Sequence, residues 1–251
     1  MSFCAPNIPA DKHLFFDRFG GVSTGKYDSL NASLHSLDKR ENIFQNLDIA
    51  AHRFGYRLED LTILKQGTCA EAVYIDTPER YARFADGMVT DKKNIILAIR
   101  TADCAPIIFY DKQQHIIGAA HAGWRGALRG IIENTLDLML SLGAQKQTIA
   151  AAIGPCLQKN SFECQDDMRH EFLQINSDYA DFFTPKDDKH WLFDAENFCI
   201  HRLQTYGITN IAASHIDTYT DTDYFSYRRN CHRQLISAPK DYPSHLSTII
   251  L

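Results

Sequence analysis

Long apolar runs are the first thing missing from this chain of 251 residues. No segment approaches the roughly 18 consecutive apolar residues that a membrane span needs, so no membrane partner is expected. The N-terminal stretch MSFCAPNIPADKHLFFDRFGG has no basic start followed by an apolar run, and is not expected to be a signal peptide. A basic surplus is missing too: the formal net charge is −5 and the pI about 6.1. That balance argues against a nucleic-acid binder, which carries a basic surface, though it leaves room for a small basic pocket. There is no internal repeat, no low-complexity linker, no P-loop and no dinucleotide fingerprint. The nucleic-acid deaminase signature fails at two positions, with Cys69 where its His belongs and Lys159 where its second Cys belongs. Cysteine is sparse and odd in number: Cys4, Cys69, Cys104, Cys156, Cys164, Cys199 and Cys231 are scattered. Reduced thiols in a cytoplasmic protein, most of them small buried hydrophobes, are the expectation.

What is present is core-forming material. Hydrophobic residues make up 45% of the chain, enough for one large core, and a single domain over residues 1–251 is expected. The stretch KRENIFQNLDIAAHRFG places Ile43, Phe44, Leu47, Ala50, Ala51 and Phe54 at helical spacing, with Gly55 as the stop. LTILKQ, EAVYID, NIILAIRTADC, PIIFYD and HIIGAAH read as strands, and helical spacing returns from Leu128 to Met139 before Gly143. TIAAAIG is a short buried strand, and residues 167–175 carry a weaker helical pattern. FDAENFCIHRLQTYG reads as a helix with Asp194 as N-cap and Gly207 as stop, and IAASHID as a late strand. Beyond Arg229 the patterning is weak. Strands mixed with helices in this way predict an α+β, layered fold.

One stretch carries chemistry: RTADCAPIIFYDKQQHIIGAAHAGWRG. If its two apolar runs form a hairpin turning at Asp111–Gln114, Tyr110 faces His115 and Cys104 lies opposite His121. Directly opposed residues have Cβ atoms about 4.5–5.5 Å apart on one face. That distance suits three arrangements. The pair is a buried thiol beside a core imidazole, or two ligands of one metal ion, or a nucleophile with its base. A one-residue slip would send the two side chains to opposite faces. The adjoining HAGWRG places two glycines, an indole and Arg125 at a helix start, which suits an anion such as phosphate.

The motifs DRFGGVS, YDSLN, RTADCAPIIFYD, GAAHAGWRG, AAIGPC and YFSYRR occur in this order from about Phe15 to Arg229. Together they resemble the polyphenol oxidase, laccase-domain or purine nucleoside phosphorylase family, whose bacterial members include YfiH and YlmD. The resemblance implies a layered α/β/β/α sandwich and a zinc site of two His and one Cys. It also implies phosphorolysis of adenosine, inosine, guanosine and methylthioadenosine, and deamination of adenosine. Purine nucleoside and phosphate would then be the partners, and no protein partner is specified. Editing of peptidoglycan precursors is a further family activity. Copper is the less favoured metal, because laccase chemistry needs clusters of His that this chain lacks.

Carried over by motif, Cys104 and His121 match two zinc ligands. The third belongs to a QVHG-like motif, matched here by KQGTCAEAV; Gln66 takes the place of the Gln and Thr68 that of the His. A catalytic zinc keeps three protein ligands and one open position. The third ligand is therefore uncertain, with Cys69, Cys156 or a distant His as substitutes, and zinc is expected to be weakly held or absent. A member without it would be a degenerate, non-catalytic binder of nucleotides or partners, or a metal-free Cys–His hydrolase. Further candidates are Asp103 and Arg125 in catalysis, Arg18, Arg228 and Arg229 as phosphate forks, and Trp124 as a base-stacking platform.

Overall fold

The computed structural model describes all 251 residues. The first half of the chain runs β1 (His13–Phe15), α1 (Arg40–His52), β2 (Leu61–Lys65), β3 (Ala72–Tyr74), β4 (Arg80–Phe84), β5 (Gly87–Thr90), β6 (Ile96–Thr101), β7 (Ala105–Asp111) and β8 (Ile116–Ala122). Then follow α2 (Trp124–Arg129), α3 (Ile131–Ser141), β9 (Ile149–Ile153), β10 (Glu163–Gln165), α4 (Asp166–Ile175), β11 (Phe183–Pro185), β12 (His190–Phe193), α5 (Ala195–Tyr206), β13 (Asn210–Ala213), α6 (Tyr227–His232) and β14 (His245–Ile250). Two large sheets result, one ordered β1-β14-β6-β2-β4 and one ordered β13-β9-β7-β8-β5-β3, with β10-β12-β11 as a small third sheet.

Alternation along the central strands sets the layers. On β6, Ile96 and Ala98 pack with Ile43, Leu47 and Ala51 of α1, while Leu97 and Ile99 point into the space between the sheets. On β7, Ile108 and Tyr110 fill that same space from the other side, and Ile107 and Phe109 meet Ile132, Leu136 and Met139 of α3 and Phe198 and Leu203 of α5. Strands covered on both faces read as continuous apolar runs, as NIILAI and PIIFY do. The architecture is thus α/β/β/α, the layered mixed fold expected from the sequence.

Three local expectations change. The helix read from Leu128 is two helices, because Gly130 at φ 99° ends α2 and starts α3. The weakly patterned tail contains β14, which pairs with β1 and β6 near the centre of its sheet. The β7–β8 hairpin turns at residues 112–115, with His115 at φ 53° and Asp111 paired with Ile116. Its register is therefore shifted by two: Pro106, not Cys104, lies opposite His121.

Candidate functional site

Between β6 and β7 the chain leaves one large sheet and enters the other, crossing through Ala102, Asp103 and Cys104. Asp103 takes φ 87°, and its carboxylate accepts from the Thr218 hydroxyl at 2.7 Å and the Arg228 amide at 2.6 Å. Burial pushes this carboxyl above its ordinary range, against the opposing pull of those donors. Asp103 therefore shapes the crossing. The two-residue shift of the hairpin keeps Cys104 on the side of His121, and the sharp bend brings the two together. A Cβ added at Gly123 would sit 2.9 Å from Thr68 Cγ2, 3.3 Å from Cys104 Sγ and 3.6 Å from His121 Cε1. Only a glycine at this position lets the three side chains converge.

His121 is fixed from behind by a residue that the motifs did not single out. Asp86 is fully buried and accepts from His121 Nδ1 at 2.5 Å. The same carboxylate accepts from the amides of Gly67 and Cys69, at 3.1 and 2.7 Å. It thus holds both the imidazole and the loop carrying Thr68. A lone carboxylate between Ala85 and Gly87, inside the otherwise apolar run before β5, was the available signal. With Nδ1 engaged, Nε2 is the nitrogen left for Cys104. Burial alone would drive His121 down, but the Cys104 sulfur and Asp86 outweigh it and raise the ring to about 9. For Asp86, burial opposes ionisation and is overcome by His121 and Cys69, lowering it to about 2. Both shifts favour the carboxylate–imidazolium pair.

Cys104 opens on two cavities. One, of about 260 Å³, is polar and is lined by Gln66, Thr68, Arg100, Cys104 and His121 among others. The other, of about 200 Å³, is apolar and is lined by Cys104, Trp124, Leu157, Phe162, Tyr227 and Arg228 among others. Gln66 anchors the first: its amide donates to the Arg100 carbonyl at 2.7 Å and accepts from the Arg100 amide at 2.9 Å. Trp124 stacks at 6.1 Å on Phe172, so one ring both packs the core and walls the apolar cavity.

The remaining candidates are scattered. Arg125 is exposed and lies over the Trp124 ring at 4.0 Å, outside both cavities. Arg18 donates to the Asp28 carbonyl at 2.5 Å and packs on Phe225. Arg229 is buried, and its guanidinium is consumed by the carbonyls of Thr218, Tyr219, Asp221 and Tyr224. Arg228 reaches the apolar cavity while donating to the Glu163 carbonyl at 2.9 Å. Neither Cys69 nor Cys156 lines the polar cavity. Burial raises both thiols above their ordinary value, with Asp86 adding to the effect at Cys69.

A three-ligand metal does not fit this donor set. Cys104 and His121 supply two donors, and the Thr68 hydroxyl is turned to the Gly67 carbonyl at 2.6 Å. No group of three His, Cys, Asp or Glu side chains is placed to hold an ion.

Comparison with known proteins agrees with the fold. A purine nucleoside phosphorylase of Rickettsia conorii is 32% identical over 212 residues, covering 82% of this chain and 88% of that protein. The purine nucleoside phosphorylase YfiH of Escherichia coli is 30% identical over 217 residues, covering 85% of this chain and 86% of that one. Among solved structures, a Neisseria meningitidis protein superposes with a TM-score of 0.86 at 28% identity, over 100% of this chain and 98% of its own. A Bacillus licheniformis YfiH superposes with a TM-score of 0.85 at 25% identity, over 95% of this chain and 92% of its own. The family model described as multi-copper polyphenol oxidoreductase laccase matches residues 12–235, a span that takes in the sheet crossing, Cys104, His121 and Asp86. By that match and those relatives, the chain belongs to the multi-copper polyphenol oxidoreductase laccase family.

Proposed function

We propose that the chain cleaves purine nucleosides with phosphate as the acceptor. The observation that carries this reading is the meeting of two unlike cavities at one thiol. A nucleoside is itself amphiphilic. Its ribose suits the polar cavity and its flat base suits the apolar one, between the rings of Trp124, Phe162 and Tyr227. The names of the relatives, purine nucleoside phosphorylases at 30–32% identity, support the same class.

An imidazole held protonated by its neighbours is a general acid at neutral pH. A phosphate oxygen bonds to C1′ as the N-glycosidic bond breaks, and the bonding pair departs with the purine. His121 gives its Nε2 proton to the leaving base and regains one from the P–OH of the attacking hydrogenphosphate. Asp86 keeps the ring oriented through Nδ1 and favours its reprotonation, and no metal enters the sequence of steps. Incubation of inosine and of adenosine with phosphate, read by chromatography, tests the proposal and reports deamination in the same trace. Base and ribose 1-phosphate are expected from the wild type, with a fall of about 10²–10⁴-fold in His121→Asn. No base release by the wild type would overturn the phosphorylase reading.

A second reading has its own observation. Cys104, His121 and Asp86 stand in the order nucleophile, imidazole, carboxylate, the arrangement of cysteine hydrolases. Rapid alkylation of Cys104 near neutral pH, together with a covalent adduct trapped from an ester substrate, would favour this hydrolase over the phosphorylase.

A further inference from the structure

The polar cavity contains a cation without a partner. Arg100 sits at the end of β6 and is only 7% exposed. Its backbone is tied to Gln66, but its guanidinium makes no hydrogen bond and no salt bridge within the protein, and its Nε is buried with nothing to donate to. The face of the Tyr81 ring lies 5.2 Å from the guanidinium carbon, a contact that uses none of its in-plane N–H donors. Burying a charge without compensation is costly, and the other buried arginine shows what the fold does when the role is structural: Arg229 is saturated by four backbone carbonyls.

Arg100 is not the only positive group facing this space. Lys240 and His35 line the same cavity, with the hydroxyl-bearing Ser33 and Ser244, and no aspartate or glutamate is among its lining residues. The three are close enough to act on one another: His35 is held below its ordinary value first by burial, then by the charges of Arg100 and Lys240. Neither Lys240 nor His35 makes an ion pair within the protein; the acids nearest in kind, such as Asp241, are taken up by Lys26 and Tyr27. A cavity lined by Arg100, Lys240, two histidines and several hydroxyls, with no carboxylate, has the chemistry of an oxyanion receptor, in which planar Arg donors and a mobile Lys charge complement tetrahedral oxygens.

We propose that Arg100, with Lys240 and His35, forms a site for a phosphoryl oxyanion in the same cavity as Cys104 and His121. This assignment deepens the phosphorolysis reading and rests on it for what the anion does, because it places the acceptor beside the general acid. It also moves the phosphate away from Arg18, Arg125, Arg228 and Arg229, to which the sequence motifs had pointed. Two sources share this chemistry, free phosphate and the phosphate of a nucleotide.

Calorimetric titration of the intact protein with inorganic phosphate, and separately with inosine 5′-monophosphate beside inosine, tests the site. Saturable phosphate binding is expected, weakened at least tenfold in Arg100→Gln and several-fold in Lys240→Ala. Lys240 is exposed, so its replacement leaves folding out of question. Binding of the monophosphate but not of free phosphate, with the same loss in both variants, would assign the oxyanion to a nucleotide. Saturable binding of neither would overturn the site, as would binding that survives in both variants or is lost instead in Arg228→Gln. Phosphate binding without base release would leave the site standing and remove the phosphorolysis reading. Base release indifferent to Arg100 would do the reverse.

Discussion

Thr68 sits in the left-handed region at φ 58°, a conformation that β-branched residues rarely adopt. It is held there by its flanks, because Asp86 binds the amides of Gly67 and Cys69 on either side. Strain of this kind costs about 1–3 kcal/mol and persists only where the surroundings over-determine it. Histidine tolerates the left-handed region better than threonine, and its ring is long enough to extend toward the Cys104–His121 pair. Thr68→His is therefore expected to raise zinc affinity at least about tenfold by completing three donors, with only a partial gain in nucleoside turnover, since nothing has been arranged to fix the new ring's second nitrogen. Competition against a chelator measures the change. Equal affinities would show that an imidazole at this position does not reach the pair.

At the scale of elements, β14 shows what a sequence conceals. All six of its residues are buried, yet His245, Ser247 and Thr248 are polar, so the run lacks both the alternation and the apolar continuity that mark strands. The hairpin register was concealed for a related reason. Asp111 reads as a turn residue but is a buried strand end, whose carboxylate accepts from the amides of Gln113, Gln114 and Gln145 and from the Thr148 hydroxyl. The strands around it were legible because they are apolar throughout, and the helix Ala195–Tyr206 because Asp194 and Gly207 bound it as caps. His245 gives β14 a measurable signature. It is fully buried, its Nε2 lies 3.0 Å from Thr101 Oγ1, and burial, aided by Arg229, lowers it to about 3. The unfolded chain takes up this proton near pH 6.5 and the folded chain does not. Stability present above pH 6.5 should accordingly fall as the pH drops toward 3, by roughly 1.4 kcal/mol per unit from this group alone. Denaturant unfolding of wild type and His245→Gln across that range measures it, and parallel pH slopes would refute the assignment.

Over the whole molecule, the site is assembled from segments far apart in the chain, and this decided which parts of it could be read. Cys104 and His121 lie in one motif and stood out together. Arg100 opens the same motif but carried no signal of its role, while Asp86, His35 and Lys240 are brought to them only by the packing of the segment before β5, the loop before α1 and the tail before β14. That packing depends on small residues. Ala119, Ala150 and Ala152 face Leu97, Ile99 and Ile249 across the space between the two large sheets. Ala152→Leu would overfill this seam at a cost of about 1–3 kcal/mol, or roughly 2–4 °C in Tm for each kcal/mol in a chain of this size. A calorimetric scan reads the loss, and an unchanged Tm would mean that the seam has room to spare.

The crossing through Ala102, Asp103 and Cys104 gives that seam a second meaning. Sheets packed face to face stand about 10 Å apart, and four residue steps reach at most about 13–14 Å when fully extended. The link is a tether with little slack, pinned at Asp103 by Thr218 and Arg228. Prying the sheets apart must draw on the segment that holds the sulfur. Cys104 is thus a strain gauge for the sandwich, and the rate at which it is alkylated should track every change that alters how closely the two sheets lie.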